Sequence, residues 1–146
     1  MSEKDLASLR AASLDGRCQN VFYKQTQLQR LHDRLLAHAS ELHEAIVRDT
    51  GFSATEAKVE VGLAINTVKE RYQELDPKEE FKREYAVTNK ENASELRIGV
   101  GIVLIKPASF CQLYSVVAPL SAAVAAGNCV LLQVFRSILN DVLLRR

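Results

Sequence analysis

The sequence predicts an α/β protein: N-terminal helices followed by a single, unfinished βαβ unit. Three observations point there. Charge is unevenly divided, with 32 of the 37 charged residues in positions 1–97 and only Lys106, Arg136, Asp141, Arg145 and Arg146 beyond them. The polar part places its apolar residues mostly three, four or seven apart, the spacing of an amphipathic helix. The apolar part holds a continuous β-branched run, a small-residue segment and a second short apolar run, the texture of buried parallel strands joined by a helix.

A length of 146 residues fits one domain, and 47% hydrophobic with 25% charged residues is a soluble globular composition. The net charge of +1 provides neither a basic field for nucleic acid nor an acidic tail. Three cysteines, an odd number, do not make the disulfide framework of a small secreted protein. Met1–Arg10 mixes charges, carries Glu3 and Asp5 and lacks an apolar run, so it reads as neither a secretory signal nor a transit peptide, and the expected location is cytoplasmic. Pro107–Phe135 is uncharged and long enough to cross a bilayer. Its two prolines, its Gly127-Asn128 break and its Ser and Gln residues instead describe buried elements separated by turns, with no membrane partner.

Taken in order, a short helix is expected from Glu3 to Leu14, ending near Asp15-Gly16. A long helix follows from Arg17 to Asp49, with Val21, Leu28, Leu31, Leu35, Leu42, Ile46 and Val47 on its apolar side and Gly51 as its stop. Ser53-Ala54-Thr55-Glu56 is a capping box, so a helix begins there and runs with Val59, Leu63, Ile65, Val68, Tyr72 and Leu75 as its stripe until Asp76-Pro77. Residues 78–95 are charged and without apolar period, and are expected as a loop or exposed short strand. Val100–Ile105 reads as a buried parallel strand stopped by Pro107. Leu113–Ala126 reads as a buried helix in which Pro119 either makes a kink or opens a second helix. Gly127-Asn128 ends it, Cys129–Leu132 is a second strand, and another helix starts at Ser137. The expected division is 1–97, a helical region and connecting arm, and 98–146, an incomplete cofactor-binding region.

At this point four segments resemble the N-terminal part of the NAD(P)-dependent aldehyde dehydrogenase superfamily. Gln27–Gly51 (QLQRLHDRLLAHASELHEAIVRDTG) is similar to the family's early helix, and Glu56–Leu75 (EAKVEVGLAINTVKERYQEL) to the helix after it. Gly101–Phe110 (GIVLIKPASF) resembles the first strand and turn of the cofactor domain. Ala118–Leu132 (APLSAAVAAGNCVLL) resembles its helix end and second strand. The resemblance implies a Rossmann-like cofactor domain of which this chain holds the first βαβ unit, truncated. The nucleophilic Cys, the general-base Glu and the later glycine-containing cofactor turn would lie beyond Arg146. It implies oxidation of a small-molecule aldehyde to an acid, through a covalent thiohemiacetal, with hydride transfer to NAD or NADP.

The resemblance also assigns positions. The family's first turn carries a Pro-Trp-Asn-aromatic motif whose Asn donates to the developing oxyanion. Keeping Pro107 on the motif's Pro puts Ser109 on the Asn, whereas a gapless alignment back from Pro119 puts Phe110 there. Ser109 has a shorter donor arm than Asn, and Phe110 has none. After the second strand the family's Lys holds the adenosine ribose; Gln133 stands there and retains hydrogen-bonding capacity without charge. The implied cofactor-binding residues are therefore Ile105, Pro107, Ala108, Ser109 and Gln133, with Ser109 as the catalytic candidate. These departures point to a divergent branch, of the fungal secondary-metabolism type.

Other reactive residues read as structural. Cys129 on a buried strand is a small hydrophobe, and Cys111 in the turn has no neighbouring His to activate it. His32, His38 and His43 are six and five apart, whereas two helical zinc ligands need three or four, so no metal is expected. Gly99-Val100-Gly101 precedes its strand and is not a dinucleotide fingerprint.

Without nucleophile and base, the chain by itself is expected to be inactive. The alternatives are a non-catalytic interaction fragment, as a homo-oligomer or paired with a full-length relative, or a truncated gene product without function. An unfinished sheet leaves apolar surface in water. The isolated chain is therefore expected to self-associate, as broad, concentration-dependent particles in light scattering; a monodisperse, cooperatively melting monomer would contradict this.

Overall fold

The computed structural model describes residues 3–91 and 98–133, with side chains from residue 7 onward. The first helix, α1, spans Glu3–Leu14, as the sequence predicts. A single 3-10 turn, Arg17–Gln19, follows Gly16. Asn20 then caps α2 (Val21–Ala37), its side chain accepting from the amides of Phe22 and Tyr23.

The single helix expected from Arg17 to Asp49 is corrected to this turn and two helices. His38, at φ −107° and ψ 14°, closes α2 and opens α3 (Ala39–Thr50). No Gly or Pro marks the break. Its consequence is that two differently directed helices both pack on α4 (Ala54–Gln73). Leu28 and Leu35 from α2 and Leu42, Ala45 and Ile46 from α3 are buried in one cluster with Ala57, Val61, Ala64 and Val68 of α4. Gly51 ends α3 in the left-handed conformation at φ 72°.

The capping box at the start of α4 is present: the Glu56 amide donates to Ser53 Oγ, and the Ser53 amide donates to the Glu56 carboxylate at 2.8 Å. The expected stripe is half right: Val68 and Leu75 are buried and Ile65 packs against the core. Val59, Leu63 and Tyr72 are exposed, and the smaller residues Ala57 and Ala64 are fully covered. Small residues let α2, α3 and a later helix approach α4 closely.

Residues 78–95 are also corrected. Asp76 caps a helix, α5 (Pro77–Glu84), with Pro77 in its first turn. Glu79 and Glu80 lie at its start and Lys82 and Arg83 at its end, the order that complements the helix dipole. Phe81 meets Phe22 of α2 at a ring separation of 5.9 Å, and Glu80 pairs with the buried Lys24 at 3.5 Å. Residues 92–95 of the expected loop lie outside the described residues, as does the helix expected from Ser137.

The βαβ unit is as expected in order: β1 (Ile102–Ile105), α6 (Gln112–Ala125) and β2 (Cys129–Leu132), the strands parallel with Ile102 opposite Cys129 and Ile105 opposite Leu132. Pro119 sits inside one continuous α6, on its exposed side. The strands are less buried than their composition predicts. Ile105 is covered, but Leu104 is 50% exposed. Among the described residues the two strands pair only with each other, so part of the sheet has no neighbour.

Leu113 and Val117 of α6 belong to the same buried cluster as α2, α3 and α4. Full burial of such a side chain contributes about 1.5–3 kcal/mol, against about 0–1 kcal/mol for an exposed ion pair. The apolar contacts of α6, rather than surface charges, therefore hold the strands to the helices.

The cap of α4 generates a pH-dependent prediction. Hydrogen bonds from Ser53 hold the Glu56 carboxyl below its ordinary value. A lowered folded value contributes stability above the unfolded carboxylate pKa, and that stability is lost as pH falls through the folded value. Ser53→Ala is expected to lower the melting temperature at neutral pH, since losing a Ser cap costs about 1 kcal/mol of stability. The gap between parent and variant narrows in acid, as followed by circular dichroism melts between neutral pH and the carboxylate range.

Candidate functional site

In an open α/β sheet the ligand end is the C-terminal edge of the strands. Here that edge is the turn from Lys106 to Cys111 and the residue after β2. The Gln133 amide donates to the Ile105 carbonyl at 2.9 Å, so Gln133 lies beside the start of the turn. Ile105 is buried, Pro107 and Ala108 are half-buried, and Ser109 and Gln133 are exposed. The five residues expected to hold a cofactor thus fall along one edge, with two exposed polar side chains on it.

The turn is held by a residue that sequence reasoning passed over. Ser115 Oγ accepts from the Ala108 amide at 3.1 Å and donates to the Gln112 carbonyl at 3.1 Å. Gln112 Nε2 in turn donates to the Ser109 carbonyl at 3.3 Å. Phe110 is exposed at 68%, and Cys111 adopts the left-handed conformation at φ 47° as it enters α6 without capping it through its side chain. Such a backbone angle is uncommon for a residue with a Cβ.

A second residue missed in the sequence is Glu60 of α4. It is 5% exposed, and its Oε1 accepts from the Tyr114 amide in the first turn of α6 at 3.1 Å. Its Oε2 is buried and has no hydrogen-bond partner among the described residues. A carboxylate therefore already satisfies the positive end of α6, where a phosphate would otherwise bind. No local signal marks Glu60, because its partner is 54 positions away.

The edge thus offers two exposed polar side chains, a hydroxyl and a carboxamide. The Ser109 hydroxyl and Gln133 amide suit sugar hydroxyls. The α6 N-terminus does not suit a pyrophosphate, since Glu60 would repel it.

Asn128, in the Gly-Asn stop, joins the other ends of the elements. It accepts from the Gly101 amide at 3.0 Å and donates to the Ala123 carbonyl at 3.3 Å. Two clefts elsewhere include none of the five expected residues. One, of about 480 Å³, lies between α2 and α5 and includes Lys24, Glu80 and Tyr85. The other, of about 270 Å³, includes Cys18, Cys129 and Arg17.

The three histidines serve local contacts. His43 Nε2 meets the Ala54 carbonyl at 2.9 Å, tying α3 to α4, while His38 pairs with Glu41 and His32 with Asp33. Cys129 is buried, and burial pushes its thiol up, the direction of a structural thiol rather than an activated nucleophile. Among the described residues no three His, Cys, Asp or Glu side chains gather as a metal site, and no helix is long and apolar enough to cross a membrane.

A parallel βαβ pair with its crossover helix resting on a helical layer, and exposed polar groups at the strand ends, defines an α/β protein of the open-sheet class. The chain belongs to the aldehyde dehydrogenase family, whose pattern it matches over residues 10–136. It is 31% identical to mouse aldehyde dehydrogenase family 3 member B1 over 139 residues, covering 90% of this chain and 29% of that protein. The bovine protein of the same description is 31% identical over 131 residues, covering 88% and 28%. The chain thus spans under a third of the length of these relatives. No solved structure matches it significantly.

Glu60 yields a prediction that separates its roles. Glu60→Ala leaves the Tyr114 amide without its acceptor and is expected to destabilise the chain by about 1–3 kcal/mol in denaturant titrations, with faster hydrogen exchange at Tyr114. Glu60→Gln keeps the acceptor and should retain slow exchange there.

Proposed function

We propose that the protein carrying this chain oxidises an aldehyde to the carboxylic acid, and that residues 98–146 supply the adenosine side of an NAD or NADP groove in a Rossmann-like domain. Residues 1–97 are the helical region and connecting arm on which it rests. The observation that supports this most is the hydrogen bond from the Gln133 amide to the Ile105 carbonyl, which sets both strand ends on one edge. NAD or NADP, held there by Gln133 and the wall of Ile105, Pro107 and Ala108, would supply the hydride-accepting chemistry.

In this reading Gln133 bonds a ribose hydroxyl, and the wall of Ile105, Pro107 and Ala108 packs beside it. In the same reading the Ser109 hydroxyl donates one hydrogen bond to an oxyanion forming at the turn. A lone hydroxyl there is a weaker stabiliser than a set of preorganised donors. Ser115 keeps the turn in place by holding the Ala108 amide.

The 146 residues do not by themselves turn over aldehyde in this proposal. Cys18 and Cys129 face each other, and the imidazoles engage Asp33, Glu41 and the Ala54 carbonyl, so no described thiol is paired with a base. A second reading, a non-catalytic fragment that assembles with itself or with a longer relative, draws support from the exposed Ile98, Val100 and Leu104 beside the two-stranded sheet. A cytoplasmic setting belongs to both readings.

Calorimetric titration with NAD and NADP tests the groove. Weak binding that Gln133→Ala lowers several-fold is expected, together with no aldehyde-dependent NADH formation by the isolated chain above a heat-killed control. Turnover by the isolated chain would overturn the assignment of catalysis to residues outside it. Binding indifferent to Gln133→Ala would remove the adenosine-side role.

A further inference from the structure

Cys18 and Cys129 are 111 positions apart, yet their sulfurs lie 3.6 Å from one another. Cys18 sits in the 3-10 turn between α1 and α2; Cys129 is the first residue of β2. Gly127, two residues before Cys129, holds the two segments together. Gln19 Nε2 donates to the Gly127 carbonyl at 3.1 Å. Gly127 has φ 82°, and a Cβ on it would come within 2.9 Å of the Cys18 carbonyl oxygen. Only glycine allows the two segments to approach so closely, so the juxtaposition is built into the backbone.

We propose that Cys18 and Cys129 form a dithiol site that a low-molecular-weight disulfide, of the glutathione disulfide class, oxidises to an intrachain disulfide. The inference is independent of the nucleotide reading. The sulfurs are in van der Waals contact, and closure to bonding distance, about 2.05 Å, requires them to approach by roughly 1.5 Å. The cleft of about 270 Å³ that both cysteines line, with Arg17, Tyr23 and Gln27, gives a small disulfide access.

Cys18 is half-buried and Cys129 buried, so Cys18 is the thiol that reacts first. Its thiolate attacks one sulfur of the small disulfide, whose S–S bond breaks and whose other half leaves as a thiolate that takes up a proton. The Cys129 thiol then loses its proton to solvent, and its sulfur displaces the second small thiolate from Cys18. Two protein thiols are oxidised to one disulfide, and one small disulfide is reduced to two thiols. Burial raises the Cys129 thiol, so the second step, which needs its thiolate, accelerates as pH rises. The high local concentration of one sulfur at the other favours ring closure over a lasting mixed disulfide. Cys111 lies in the turn ahead of α6 and is left out.

The closed loop joins the N-terminal turn to the sheet, which constrains the unfolded chain strongly because the loop is long. The test equilibrates the full chain in oxidised and reduced glutathione, alkylates free thiols and maps the products by mass spectrometry. Trypsin leaves Cys111 and Cys129 on one peptide, so the assignment is made in Cys111→Ala. The expected result is a Cys18–Cys129 cross-linked peptide in that variant, and a melting temperature roughly 5–10 °C higher than that of the reduced form. Cys18→Ala should abolish the cross-link. A glutathione adduct or an intermolecular disulfide in Cys111→Ala, with no intrachain bond, would overturn the proposal. So would a cross-link to Cys18 that the parent chain forms and Cys111→Ala lacks. Should Cys18→Ala fail to fold, the Cys111→Ala result decides alone.

Discussion

Burial of Leu113 and Val117 of α6 among the side chains of α2, α3 and α4 is the contact that carries the βαβ unit into the buried core of the helices. The strands contribute one parallel ladder of four residues each, which is too little to be stable alone. α6 closes that ladder as its crossover and at the same time completes the helical core. Glu60 adds a directed contact to this apolar one, because its carboxylate accepts from the first turn of α6. The helical half of the chain therefore sets where the strand ends, and any ligand edge they form, can lie.

That dependence has a chemical side. The positive end of α6 would be the natural anion site of a βαβ unit, and the helical layer fills it with a carboxylate. Polar groups available to a ligand are then those along the turn and after β2, namely Ser109 and Gln133. The turn itself is held by Ser115 from within α6, so its geometry follows from the same helix placement. At the opposite end of the strands, Asn128 ties the end of α6 to the residue before β1, and Gly127 lets the N-terminal turn press against it.

Much of the element order was legible. The capping box, the Gly51 stop, the β-branched run and the Gly-Asn stop are local signals whose physics acts within a few residues. Two elements were misread for opposite reasons. In α5 the signal was present: Asp76-Pro77 ends one helix and equally begins the next, and the acids-then-bases order of the following charges is a helix signature. At His38 there was no signal, because neither Gly nor Pro stands there and the bend serves the packing of both α2 and α3 on α4. Of the site, the five edge residues were placed by family resemblance, whereas Glu60, Ser115 and the Cys18–Cys129 pair were not. Hydrogen bonds and sulfur contacts between distant positions leave no periodic trace.

The sequence by itself determined the class of fold, most of the order of helices and strands, and the family, since these rest on local caps, short-range periodicity and ordered motifs. Only the tertiary structure decided which face of α4 is buried, that a carboxylate occupies the start of α6, and that two cysteines meet. The physical reason is that each depends on how closely small residues such as Ala57, Ala64 and Gly127 let separate segments approach. That distance is set by the packed whole.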